Sequence, residues 1–222
     1  EIIKRGPFDV KNTGVTARSI IESIDGEEIK AGMDYFPLLD GKVGKNVRLG
    51  IRNAKGKKME VTVKAISQGK LNNLLYKRWV DRNRAFVDSI SGGRIAYVHV
   101  KAMNSESFRT VYSELLSDNN RNRDAVIVDE RHNGGGWLHD ELCTLLSGKQ
   151  YQEFVPHGKV VGRDPFNKWV KPSCVMICEN DYSNGHGFPW VYKELGIGKL
   201  IGAPVAGTMT AVWWETLMDN TL

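Results

Sequence analysis

Four apolar residues, Ala125-Val126-Ile127-Val128, are closed at each end by an aspartate and followed by Asn133-Gly134-Gly135-Gly136. An apolar run without polar alternation is buried on both sides, which is the pattern of a central strand in a helix-covered sheet. Three glycines beyond its end let the backbone turn sharply and turn amide N–H groups outward. The same alternation surrounds it. Arg94–Val100 reads as a strand. Phe108, Val111, Tyr112, Leu115 and Leu116 share one helical face. Leu138, Leu142, Leu145 and Leu146 form a second helix that stops near Gly148. Ser173–Cys178 is another buried strand, Phe188–Leu195 a short helix ended by Gly196, and Ile197–Gly202 and Ala211–Glu215 the last elements. Residues 149–172, with Pro156, Gly158, Gly162 and Pro165, read as an irregular surface excursion. Strands separated by helices predict an α/β core: a mostly parallel sheet with helices on both faces.

A β-rich module precedes this core. Ser19–Ile24 runs into Asp25-Gly26, a hairpin signal, and Met59-Glu60-Val61-Thr62-Val63 alternates as a half-buried strand. Pro37-Leu38-Leu39-Asp40 predicts a short helix stopped by Gly41. From Leu71 the period becomes helical, through Leu74, Leu75, Trp79, Phe86, Val87 and Ile90 to Gly92-Gly93. The expected boundaries are 1–68 for the module, 69–92 for a linking helix and 93–222 for the core.

Hydrophobic residues are 41% of the 222, enough to offset ordering entropy, so disorder is excluded. The net charge of +5 comes without a basic block, so nucleic-acid binding is not implied. No apolar run approaches the roughly 20 residues of a membrane span. Three cysteines (Cys143, Cys174, Cys178) do not make a disulfide framework and read as small buried hydrophobes. His and Cys do not recur at metal-ligand spacing, and no cofactor motif is present.

Two strand-to-helix junctions carry chemistry. The first is the triple glycine, whose amides form a nest for an anion or a developing oxyanion. No Gly-Lys-Ser/Thr and no G-x-G-x-x-G accompanies it, which leaves a phosphate loop without support. The second is Glu179-Asn180-Asp181-Tyr182-Ser183-Asn184-Gly185-His186-Gly187. A serine just past a buried strand, followed by small residues and a helix, has the layout of a nucleophile elbow, though the motif is not G-x-S-x-G. Each stretch alone is also a plain turn. Both leave carboxyl ends of strands, where ligands bind in open α/β sheets. If those strands are neighbours, a glycine amide and the Asn184 amide converge near Ser183.

The blocks G-R-I-A-Y-V-H-V-K-A-M (93–103), A-V-I-V-D-E-R-H-N-G-G-G (125–136), E-N-D-Y-S-N-G (179–185) and L-G-I-G-K-L-I-G (195–202) resemble the tricorn-type core of the C-terminal-processing serine peptidases. Residues 74–84 and the β-rich module, which looks PDZ-like, extend the resemblance over nearly the whole chain. It implies a crotonase/ClpP-like catalytic core that hydrolyses peptide bonds without a cofactor, through an acyl-enzyme on Ser183. The oxyanion hole would be the Asn184 amide with Gly135 or Gly136. Peptides or unfolded proteins would be substrates, and the parent chain would assemble as a homo-oligomer. A catalytically degenerate peptide-binding protein of the same fold is the alternative.

The residue after the serine is usually acidic in the family and is Asn184 here. Pro189 suits a first helical turn, so the helix is expected to start nearer Phe188, with a looser elbow. Where the processing branch carries a base lysine this chain has Thr208. The tricorn branch draws its base histidine and a glutamate from segments that would lie outside residues 1–222. His132, beside the glycines, and His186, three residues after Ser183, are the candidates for lining the site. His99 reads as structural, and His139 and His157 as surface residues. The chain opens on Glu1 with no signal-type segment and reads as a truncated piece of a larger protein, compatible with a cytoplasmic or an exported parent.

Overall fold

The computed structural model describes residues 1–10, 13–211 and 215–221. It divides into two compact units, residues 1–82 and 83–222. The first holds β1 (Ile20–Ile24), β2 (Glu27–Glu28), β3 (Asn46–Arg52) and β4 (Lys58–Lys64) in one antiparallel sheet ordered β2-β1-β3-β4. The predicted hairpin is present. Asp25 and Gly26 both have positive φ (51° and 94°), as a tight two-residue connection requires. Alternate residues Val47, Leu49 and Ile51 join Ile24 and Val63 in its core. Phe36–Leu39 forms a 3-10 turn before Gly41. Helix α1 (Gln68–Ser91) crosses from the first unit into the second.

The second unit runs β5 (Ile95–His99), α2 (Ser105–Leu115), α3 (Asp118–Arg121), β6 (Ala125–Asp129), α4 (His139–Leu146), β7 (Gln152–Phe154), β8 (Gly162–Asp164), β9 (Ser173–Ile177), α5 (Asn184–Glu194) and β10 (Lys199–Gly202). Asn104 starts α2 by accepting the Ser107 N–H (2.9 Å). Strands β5, β6, β9 and β10 form one parallel sheet in the order β10-β9-β6-β5. Spatial order follows chain order, so right-handed crossovers put α2, α4 and α5 on one face. Val98, Val100, Val126, Val128 and Val175 meet Val111, Leu115, Leu142, Leu145, Phe188 and Tyr192 there. Tyr97 points the other way, and its hydroxyl accepts from Asn83 Nδ2 of α1 (3.2 Å). Helices thus cover both faces, but unevenly.

Residues 149–172 depart from the expected irregular excursion. Strands β7 and β8 pair as a hairpin, Gln152 opposite Asp164. Trp169 then returns to the core, 2% exposed, its N–H on Leu145 O (2.8 Å). Three-residue strands are too short to print a period in the sequence. The strand expected over Ala211–Glu215 falls on residues 212–214, outside the described residues.

Candidate active site

The chain leaves β6 through Glu130, whose N–H donates to Met176 O of β9 (3.0 Å). Gly135 and Gly136 follow with φ of 92° and 132°, conformations that L side chains rarely adopt. Space demands glycine as well. A Cβ on Gly136 would collide with the Met103 carbonyl oxygen. One on Gly135 would lie 2.6 Å from Ser183 Cβ, 2.8 Å from Tyr182 O and 3.1 Å from Asn184 N. Gly134 has nothing within 4 Å of its would-be Cβ. A Cβ on Gly135 would push Ser183 aside, so Gly135→Ala is expected to cut labelling of Ser183 by a serine-directed phosphonate about 100-fold, the scale of misplacing a reacting group by about 1 Å, with Gly134→Ala near wild type. Comparable labelling in both variants would show that the loop tolerates a displaced serine.

On the other side, Ser183 has φ 53° and ψ −119°, an uncommon region for a residue with a side chain. Helix α5 begins at Asn184, directly after it. The expected start near Phe188 and the looser elbow are thus both overturned. Gly185 N–H donates to Tyr182 O (2.9 Å), and His186 and Gly187 N–H donate to Ser183 O (2.8 and 3.2 Å). These bonds close the first turn without calling on the nitrogen of Pro189, so the proline falls inside the helix without preventing its start.

The two junctions meet. Gly135 packs against Ser183 and the Asn184 nitrogen. The Gly135 N–H is engaged by Asn133 Oδ1 (2.8 Å). The N–H groups of Gly136 and Asn184 have no acceptor among the described residues. Asn184 is the first residue of α5, where the amide has no intrahelical partner and the helix dipole is positive. Ser183 is half-buried, and its Oγ has no hydrogen-bond partner among the described residues. His132 is exposed, with Nδ1 facing Cys178 Sγ (3.8 Å) and Asn180 Nδ2 (3.5 Å). The Nδ1 of His186 is buried without a partner among the described residues.

Three residues that the sequence reading took for turn formers tie the loops together. Asn133, fully buried, donates from Nδ2 to Val100 O (2.9 Å), and its own carbonyl accepts the Tyr182 N–H (2.9 Å). Asp181 accepts the Asn133 N–H (3.2 Å) and the Cys178 N–H (2.8 Å). Burial pushes the Asp181 pKa up against the lowering by these amides. Asn184 Oδ1 accepts the N–H groups of Leu138 (2.8 Å) and His139 (3.1 Å) at the start of α4. His139 is half-buried and bonded to Asn184, not the surface residue expected. Asx side chains after a strand signalled this role, but their partners lie up to 48 residues away.

Below the loop two acids behave oppositely. Burial would raise the Asp129 pKa, but hydrogen bonds from Arg131 (2.6 Å) and the Tyr97 hydroxyl (2.7 Å) outweigh it and hold the carboxyl below its ordinary value. Glu130 is fully buried, and neither carboxyl oxygen has a hydrogen-bond partner among the described residues. Burial, then the nearby carboxyls of Asp181 and Asp129, push its pKa well above the ordinary glutamate value. Among the described residues no group of three or more His, Cys, Asp or Glu could hold a metal ion, and no helix is long and apolar enough to cross a membrane.

The chain is similar to known proteins. The tricorn protease of Thermoplasma acidophilum is 29% identical over 206 residues, covering 91% of this chain and 19% of that protein. The tricorn protease homolog of Saccharolobus solfataricus is 27% identical over 212 residues, 94% of this chain and 19% of that protein. A crystal structure of the tricorn protease superposes with a TM-score of 0.77 at 28% identity, covering 91% of this chain and 20% of that one. The chain thus spans about a fifth of the length of these relatives. The sequence profile described as Peptidase family S41 matches residues 94–222, the parallel sheet with both junctions, and the chain belongs to that family.

Proposed function

We propose that this chain carries the nucleophile and the oxyanion hole of a serine peptidase. The observation that carries the reading is the packing of Gly135 against Ser183, which leaves the N–H groups of Gly136 and Asn184 unengaged beside a serine on a strained elbow. Ser183 Oγ attacks the peptide carbonyl carbon. The carbonyl oxygen takes up negative charge, and the two amides stabilise it without reorganising. Collapse expels the amine and leaves an acyl-enzyme, which water hydrolyses. Of the two glycines, Gly136 is the donor in this scheme, because the Gly135 N–H is already bonded to Asn133.

The serine also needs a base. Its Oγ has no partner among the described residues, so labelling of the 222-residue chain alone is expected to be slow. A base contributed by further chain, as the relatives' greater length suggests, would accelerate it. We extend the same reading to the units: a PDZ-like module over 1–68, a linking helix over 69–92 and the peptidase core over 93–222. The four-stranded antiparallel sheet supports the first of these. Peptide or unfolded-protein substrates, and a homo-oligomeric parent, rest on the family likeness.

A fluorophosphonate reacted with the full-length parent, followed by intact mass and peptide mapping, tests the reading. One adduct on Ser183, absent in Ser183→Ala, is expected. Labelling that persists in Ser183→Ala would remove the mechanism.

A further inference from the structure

Asn184 is 4% exposed, and its side chain has a task separate from its backbone. Oδ1 receives two backbone N–H groups, those of Leu138 and His139. Two donors on one atom settle which end of the amide is oxygen, because the turned-over group would set NH2 against both. Nδ2 therefore faces His139 Nδ1, 2.8 Å away. A donor there needs a lone pair to meet it, so the imidazole proton sits on Nε2. Among the described residues the ring's hydrogen-bond partner is Asn184. Trp137 packs edge-on against it, with centroids 5.6 Å apart. The adjacent charged residues are Asp140 and Glu141 on α4 itself, and the group reaching the ring from α5 is the uncharged Asn184 amide.

We infer that Asn184 and His139 are a positioning pair that sets the distance between the two oxyanion donors. Helix α4 starts three residues after Gly136. One residue thus presents its N–H to the oxygen and, through its side chain, grips the helix that follows the other donor. His139 keeps the amide turned toward that grip. The pairing is matched in chemistry: an amide at 184 needs a bare Nδ1, whereas a carboxylate at 184 needs a protonated one. The inference deepens the proposed oxyanion hole and rests on that reading.

The test is a two-bond 15N–1H correlation spectrum of the histidine rings in the labelled chain, with His139 assigned by its absence in His139→Gln. The wild-type ring is expected as the Nε2–H tautomer at pH 7.5. In Asn184→Asp the ring should carry a proton on Nδ1 at the same pH, because a carboxylate oxygen there has no hydrogen to offer. In the full-length parent, Ser183 phosphonylation should fall in both variants, and about tenfold further in Asn184→Ala than in Asn184→Asp. Mixed tautomers in the wild type, or an Nδ1 still bare in Asn184→Asp, would overturn the pair even where Ser183 labels normally. An intact His139 signature with no adduct on Ser183 would instead overturn the reading of the site and leave the helix-capping pair standing.

Discussion

Asn133→Ala is expected to destabilise residues 83–222 by about 3 kcal/mol and to slow phosphonylation of Ser183 by about 100-fold. The stability loss follows from what the substitution strands. Val100 O loses the Nδ2 donor and Gly135 N–H loses the Oδ1 acceptor, in a place with no exposure to solvent. Each buried polar group left unpaired costs about 1–3 kcal/mol. The rate loss follows from geometry. Gly135 is the residue that touches Ser183; its N–H bond to Asn133 fixes the peptide just before the one that bears the Gly136 N–H, whose carbonyl accepts the Met103 N–H (2.9 Å). A freed glycine loop no longer presents a preorganised donor, and one such donor is worth about 100- to 1,000-fold. Hydrogen exchange of the β6 amides reads the first effect and adduct formation by mass spectrometry the second. A rate within twofold of wild type would mean that the loop holds its shape without this side chain.

Glu130→Gln is expected to stabilise the same unit, by more as the pH rises. The folded chain holds the Glu130 proton to a higher pH than the unfolded chain does, because burial and the carboxyls of Asp181 and Asp129 oppose its charge. Over the interval above the ordinary glutamate value, about 4.3, the native state then binds more protons than the unfolded state. Stability is full below that value and falls as the pH climbs toward the folded pKa, by up to about 1.4 kcal/mol per unit. Glutamine carries no such proton. Its advantage over the wild type should open above the ordinary glutamate value and widen as the pH rises, measured by exchange of β6 and β9 amides. Glu130→Leu should show the same sign, since it removes an unpaired polar group from the core. A glutamine variant less stable than wild type at pH 8 would show Glu130 to be a paired anion.

The sheet was legible because its strands are apolar throughout and bounded by polar residues. Asp124–Asp129 carries its own boundaries, and so do Ser173–Ile177 and the helical stripe of α2. The two junctions were legible as turns, and their meeting followed once β6 and β9 were placed side by side. What was not legible is the bonding that makes them a site. Asn133, Asp181 and Asn184 are ordinary turn residues in a local window, and only strand pairing brings Asn184 to His139, 45 residues away. Nor does a local rule foresee Pro189 inside α5, because the proline signal describes its own turn and not the preceding one, which Ser183 and Tyr182 close. Glu130 reads as the polar end of a strand, and its burial comes from the loops packed over it.

The central claim is that Ser183 and the unengaged amides of Gly136 and Asn184 surround one point in space. A crystal structure of the phosphonylated full-length parent tests it most directly. The phosphoryl oxygen is predicted within 2.7–3.1 Å of both nitrogens, with phosphorus on Ser183 Oγ. An adduct whose phosphoryl oxygen faces solvent, with both amides untouched, would contradict the claim.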